Sequence, residues 1–131
     1  MKVHHVGYLV KSIDDAKKTF QELGYIVEQD LVKDSIRKID IIFLRKDGLC
    51  VELVSAYEKD SVVGKLHKKI GNSPYHICYI SDKPLNIAIT EMEMQGFMTI
   101  AAPEVAVALG NKKVVFMYHP TIGMIEIVEG V

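Results

Sequence analysis

Residues 49–56 read LCVELVSA and residues 123–130 read GMIEIVEG, and in each an apolar run carries one carboxylate, Glu52 or Glu126, at its middle. A carboxylate inside such a run is costly unless something binds it. Two isolated glutamates in two similar strands point to a repeated unit, and the flanking sequence supplies the rest of it. Residues 5–10 (HVGYLV) and 76–80 (HICYI) each open on a histidine leading an apolar strand. Each runs through a turn into a helical segment that stops at a glycine followed by an aromatic, Gly24-Tyr25 and Gly96-Phe97. Ile13, Ala16, Phe20 and Leu23 give the first helix its apolar stripe, and Ile87, Ile89, Met92 and Met94 give the second a looser one. Ser12 suits an N-cap, with Asp14 and Asp15 where the helix dipole favours anions.

Three short strands follow each helix. In the first half they are YIVEQDLV (25–32), RKIDIIFLR (37–45) and LCVELVSA, with Asp47-Gly48 as the hairpin turn. In the second they are MTIAAP (98–103), KKVVFMYH (112–119) and GMIEIVEG. The pattern is βαβββ written twice: module one over 1–56, a polar linker over 57–74 with a short helix at 61–70, and module two over 75–131. His5 and Glu52 stand 47 residues apart, and His76 and Glu126 stand 50 apart. Each half therefore offers one histidine at the start of its first strand and one glutamate in its last.

Side chains alternate faces along a strand, so His5 shares a face with Gly7 and Leu9, and Glu126 with Met124 and Val128. If the first and last strands of each module lie side by side, one imidazole and one carboxylate project together. Two packed modules would converge His5, Glu52, His76 and Glu126 into a divalent-metal site. Imidazole and carboxylate suit Zn, Ni, Co, Fe or Mn, and four protein ligands leave two octahedral positions open. The ion also accounts for the burial of two carboxylates. A lone strand histidine is usually an ordinary core residue, but four such residues in register are not four independent accidents. His4 and His67 do not repeat and read as surface residues. Cys50 and Cys78 read as small buried hydrophobes.

Composition bounds the partners. The 131-residue chain has 16 basic and 17 acidic residues, a net charge of −1, so nothing steers it toward nucleic acid or an acidic membrane. No apolar stretch reaches the roughly 18–20 residues needed to span a bilayer, and residues 1–30 read as no signal peptide. Two cysteines without CxxC spacing suit a cytoplasmic protein with reduced thiols.

The segments HHVGYLVKSIDDAKKTFQELGY, VELV, SPYHICY and VVFMYHPTIGMIEIVE resemble the vicinal-oxygen-chelate superfamily, and the resemblance covers essentially the whole chain. It implies an α+β fold of two tandem βαβββ modules forming a cupped, mostly antiparallel sheet, the glyoxalase/bleomycin resistance fold. Within the superfamily the chain is similar to methylmalonyl-CoA epimerases and to glyoxalase I (lactoylglutathione lyase) enzymes. His5, Glu52, His76 and Glu126 match the four ligand positions, for one divalent ion per site (Ni, Co, Zn or Mn). Glu52 is the glyoxalase I choice where many epimerases have glutamine, whereas FMYHPTIGMIEIVE looks epimerase-like. The implied chemistry is proton transfer next to a carbonyl through a metal-stabilised enediolate, with Glu126 as the base. Its partner on the opposite face would be Glu52 in a glyoxalase or Asp40 in an epimerase.

Three functions follow as expectations. The lead is an epimerase acting on a thioester such as methylmalonyl-CoA. The second is a glyoxalase I type enzyme acting on a methylglyoxal–thiol hemithioacetal. The third is a metal-free small-molecule-binding or resistance protein of the same fold. Arg37, Lys38, Lys65, Lys112 and Lys113 are candidates to meet CoA phosphates or glutathione carboxylates. A homodimer is expected, because small members of this fold commonly pair.

Overall fold

Alternating apolar residues and glycine- or serine-marked ends set the element order in this computed structural model, which describes residues 1–130. Val131, the last residue of the expected second module, lies outside them. The first module runs β1 (Lys2–Leu9), α1 (Ile13–Glu22), β2 (Ile26–Asp34), β3 (Ile39–Lys46) and β4 (Leu49–Ala56), followed by α2 (Val62–Ile70). The second runs β5 (Ser73–Ile80), α3 (Leu85–Met94), β6 (Met98–Thr99), β7 (Glu104–Ala106), a 3-10 turn (Val107–Leu109), β8 (Lys112–His119) and β9 (Gly123–Val128). This is the expected mixed α+β architecture, βαβββ twice. The second module carries one strand and one 3-10 turn more than the sequence reading gave it. Residues 5–75 form one compact unit, and Met1–His4 with the residues from His76 onward form the other.

In the first unit the strand order is β2-β3-β4-β1. β3 pairs antiparallel with both β2 and β4, while β1 lies parallel to β4 with Gly7 opposite Glu52. The Asp47-Gly48 hairpin takes the left-handed conformation at both residues, φ 50° and 82°, which suits the twist of the strands it joins. Arg37 and Lys38, read as the start of a strand, instead form a turn built on Asp34. The Asp34 carboxylate, wholly buried, accepts from the backbone N–H groups of Ile36 and Arg37 and pairs with Arg37 Nε at 2.7 Å. Ser12 caps α1 by accepting from Asp15 N–H, and Gly24, at φ 99°, ends it. Ile13, Ala16 and Phe20 press onto Ile42, Leu44, Val51 and Leu53; Leu23 is left exposed.

The second unit orders its strands β5-β9-β8-β6, with β7 also on β8. β5 lies parallel to β9, with Cys78 opposite Glu126, and β8 runs antiparallel to β9. α3 buries Leu85, Ala88 and Met92 against Val115, Met117, Ile125 and Ile127. The stripe 85-88-89-92 has helical spacing, so Ile87 and Met94, expected to face inward, are exposed. Among the described residues no helix is long and apolar enough to cross a membrane.

Candidate metal centre

Each module's sheet has a helix-covered face and an opposite face, and strand register assigns every candidate residue to one of them. On β3 and β4 the helix-covered face carries Ile42, Leu44, Val51 and Leu53. The other face carries Phe43 and Glu52, which are register partners. Gly7 is opposite Glu52, so His5, two residues earlier on β1, joins that face. In the second module Phe116 and Glu126 are register partners on β8 and β9, and His76, two residues before Cys78, stands beside them.

The result is one local arrangement made twice. His5 Nε2 faces Glu52 Oε1 at 3.4 Å, and His76 Nε2 faces Glu126 Oε1 at 3.2 Å. All four residues are buried. Each imidazole meets an aromatic ring edge-on: His5 and Phe43 at 5.4 Å between centroids and 73°, His76 and Phe116 at 5.1 Å and 85°. The sequence reading missed both phenylalanines. Their signal was present, since each stands one strand before its glutamate at nearly the same spacing, but an aromatic in an apolar strand does not stand out.

These donor pairs fit a divalent cation. Imidazole nitrogen and carboxylate oxygen bind such an ion at about 2.0–2.2 Å, which places neighbouring ligand atoms about 3.0–3.4 Å apart for angles between octahedral and tetrahedral. The two observed separations, 3.4 and 3.2 Å, match that spacing and are long for a hydrogen bond. In each module the imidazole and the carboxylate are thus placed to serve one ion. A cation would also compensate a carboxylate held away from water.

Other candidates stand elsewhere. Asp40 does not join the His5–Glu52 pair: it pairs with Ser55 across the ladder, shares the helix-covered face with Ile42, and meets Lys33 Nζ at 3.4 Å. The one-residue step from Asp40 to Phe43's companion Ile41 is what separates the faces. Cys50 is buried one rung beyond Glu52, donating its thiol to Glu28 Oε2, with Glu28 in turn bonded to Arg45 Nε at 3.0 Å. Burial, then the hydrogen bond and charge of Glu28, push that thiol up to about 11, so it stays protonated and is a poor ligand at neutral pH. Of the basic residues expected to meet an anionic tail, Arg37 is committed to Asp34, and Lys38 Nζ pairs with Glu58 at 3.0 Å. His67 contacts Asn72 Oδ1 at 2.8 Å, the same oxygen that accepts from Lys11 N–H, and so ties α2 to the end of β1.

Comparison with known proteins agrees with the fold. The model of the glyoxalase/bleomycin resistance protein/dioxygenase superfamily matches residues 4–116. A solved hypothetical protein from Bacillus halodurans C-125 is similar, with a TM-score of 0.85 at 23% identity, over 99% of this chain and 94% of that one. Methylmalonyl-CoA epimerase from Mycobacterium tuberculosis gives 0.82 at 22%, over 99% and 88%. A Streptomyces coelicolor methylmalonyl-CoA epimerase variant in complex with 2-nitronate-propionyl-CoA gives 0.80 at 18%, over 98% and 94%. At these identities the likeness speaks to the fold alone. No curated protein matches the chain.

Proposed function

The chain belongs to the glyoxalase/bleomycin resistance protein/dioxygenase superfamily, and from that premise we propose that it is a divalent-metal-dependent enzyme moving a proton on the carbon next to a carbonyl. The lead reaction is epimerisation of a thioester of the methylmalonyl-CoA kind. His5, Glu52, His76 and Glu126 are the four protein ligands of one ion, Ni, Co, Zn or Mn. When bound, the ion polarises the substrate carbonyl and offsets the negative charge that develops on its oxygen. The chain's own carboxylates handle the proton. Glu126 takes it from the α-carbon on one face; with Asp40, the expected epimerase partner, on the helix-covered face, Glu52 in its acid form takes over that role and delivers a proton to the other face, inverting the centre. Solvent restores both groups to their starting state. His5 and His76 hold the carboxylates in place, while the apolar strands around them keep water from the carbanion. Lys65, Lys112 and Lys113 are the remaining candidates for the anionic tail of the substrate.

The observation that carries this reading is the duplicated pair, Nε2 against Oε1 at 3.4 and 3.2 Å in two modules that share few other side chains. The solved epimerases of the same fold favour a thioester substrate. A glyoxalase I type reaction on a methylglyoxal–thiol hemithioacetal is the second reading. It is favoured by Asp40 lying on the helix-covered face, which leaves Glu52 as the carboxylate partner of Glu126.

Elemental analysis of the purified protein beside Glu126→Ala and His76→Ala variants tests the metal. We expect about one divalent ion per chain in wild type and its loss in both variants. Assays with methylmalonyl-CoA and with the methylglyoxal–thiol adduct then separate the two reactions. A wild type that stays metal-free after reconstitution with Ni, Co, Zn and Mn overturns both and leaves a small-molecule-binding protein. The expected assembly is a homodimer, which sedimentation showing monomer alone at micromolar concentration would overturn.

A further inference from the structure

We infer that Phe43 and Phe116 are positioning residues for the ion-binding histidines, a reading that rests on the proposed metal centre. Each ring is the register partner of a ligand glutamate, Phe43 of Glu52 and Phe116 of Glu126. Each also stands edge-on to the histidine that faces that same glutamate. The rung is therefore complete in both modules: imidazole, phenyl ring and carboxylate on three adjacent strands.

What surrounds the rung is kept only in part. One step along the hairpin, the first module places Arg45 opposite Cys50, and the second places Tyr118 opposite Met124. A step the other way, Ile41 opposite Val54 is matched by Val114 opposite Val128. The first of these pairs differs between the modules in charge and size and the second by a single methylene, whereas a phenyl ring stands edge-on to the imidazole in both. General packing would be satisfied by any apolar side chain there.

A histidine on a strand has a broad, roughly two-fold χ2, so its ring can present either nitrogen unless something fixes the plane. Edge-to-face contact with a second ring does fix it, because the positive edge of one ring favours the face of the other. In both modules the nitrogen thereby held against the carboxylate is Nε2. The rings are thus ordered before the ion arrives, and binding does not have to order them. Replacing either phenylalanine by leucine keeps the apolar volume and removes the planar wall. The expected cost is a metal affinity lowered about three- to tenfold per ring, multiplying in the double variant because each ring serves a different histidine.

The test uses the full chain, stripped of metal, with Co2+ as the probe. Wild type, Phe43→Leu, Phe116→Leu and Phe116→Tyr are titrated while the d–d absorption bands are recorded, and circular dichroism checks that each variant is folded. Phe116 is the less buried ring, so its tyrosine variant has room for the hydroxyl. Weaker binding and altered bands in the leucine variants, with Phe116→Tyr close to wild type, are the expected result. Leucine variants that bind Co2+ as wild type does, or a tyrosine variant as weak as its leucine counterpart, overturn the inference. Ring order is read separately in the metal-free protein by 13C relaxation at the imidazole Cε1 atoms of His5 and His76. If wild type binds no Co2+, the proposed function fails. The relaxation data still decide this point: an unchanged imidazole order parameter in the leucine variants overturns it, and a lowered one supports it.

Discussion

The two modules make the same rung from different surroundings. The first builds its outer edge from β2, a nine-residue strand paired along most of β3. The second has at the same place the two-residue β6 and the three-residue β7, both on β8. The chain released from the shortened edge is put to use: Ala106 and Leu109 pack on Cys78, Val114 and Val128, on the face that carries Glu126. The helices differ as well. α1 has a serine cap and two aspartates in its first turn, whereas α3 starts after Pro84 with no side-chain cap. Edges and caps vary freely because many solutions satisfy them. The rung is held constant because imidazole and carboxylate can meet at ligand spacing only when strand register, face and residue type agree together.

The strongest way to break the equivalence of the two halves is to neutralise each carboxylate alone. Glu126→Gln and Glu52→Gln keep an oxygen ligand and remove the base. Each is expected to lower kcat/KM by about 10²–10⁴, with metal content by elemental analysis close to wild type. Similar losses mean that both glutamates carry protons, as epimerisation requires. A loss confined to Glu126→Gln would make Glu52 a ligand only and the two modules unequal in chemistry while alike in geometry.

A second contrast is structural. The Asp34 turn, with its buried carboxylate serving two backbone N–H groups and Arg37, is a feature of the first module. Asp34→Ala removes the acceptor of those two N–H groups and one charged partner of the largely buried Arg37 guanidinium, and should cost about 2–4 kcal/mol in chemical or thermal unfolding. Ser12→Ala should cost about 1 kcal/mol by removing the side chain that accepts from Asp15 N–H. If the two units unfold as one, both substitutions lower a single transition. If the first unit unfolds by itself, only its own transition moves.

Strand pairing explains which parts were legible in the residues. β4 was bounded correctly by Asp47-Gly48 and by its own apolar run, and β8 by the apolar run from Val114 to Tyr118 between lysines and a histidine-proline turn, because each signal is local. β7 was not seen, since Glu104-Val105-Ala106 is too short for a period and is a strand only because β8 supplies hydrogen-bond partners. Lys38 was read into β3, although it takes a left-handed turn at φ 58° imposed by Asp34. The four candidate ligands were visible through the duplication. Phe43 and Phe116 became visible only when register placed each opposite a glutamate and against a histidine.

Asp40 gives the finest test, because it lies one residue out of phase with that rung. An alternating strand separates neighbours onto opposite faces, so Asp40, with Ile42 and Leu44, lies on the side covered by α1, while Phe43 lies on the side of Glu52. Its carboxylate meets Lys33, a side chain largely in solvent, and such a pair contributes little to stability. Asp40→Asn should therefore change kcat/KM less than about threefold and stability by less than about 0.5 kcal/mol. Ile42→Asp would be a poor control, since it buries a charge under α1. The informative companion is Asp40→Ala, which removes the carboxylate and its hydrogen-bonding capacity altogether. If either Asp40 variant fell a hundredfold in activity while unfolding like wild type, the two-base assignment would have to move from Glu52 to Asp40. The first module would then deliver its proton from the face opposite its ligand, and the two halves would be equivalent in metal binding alone.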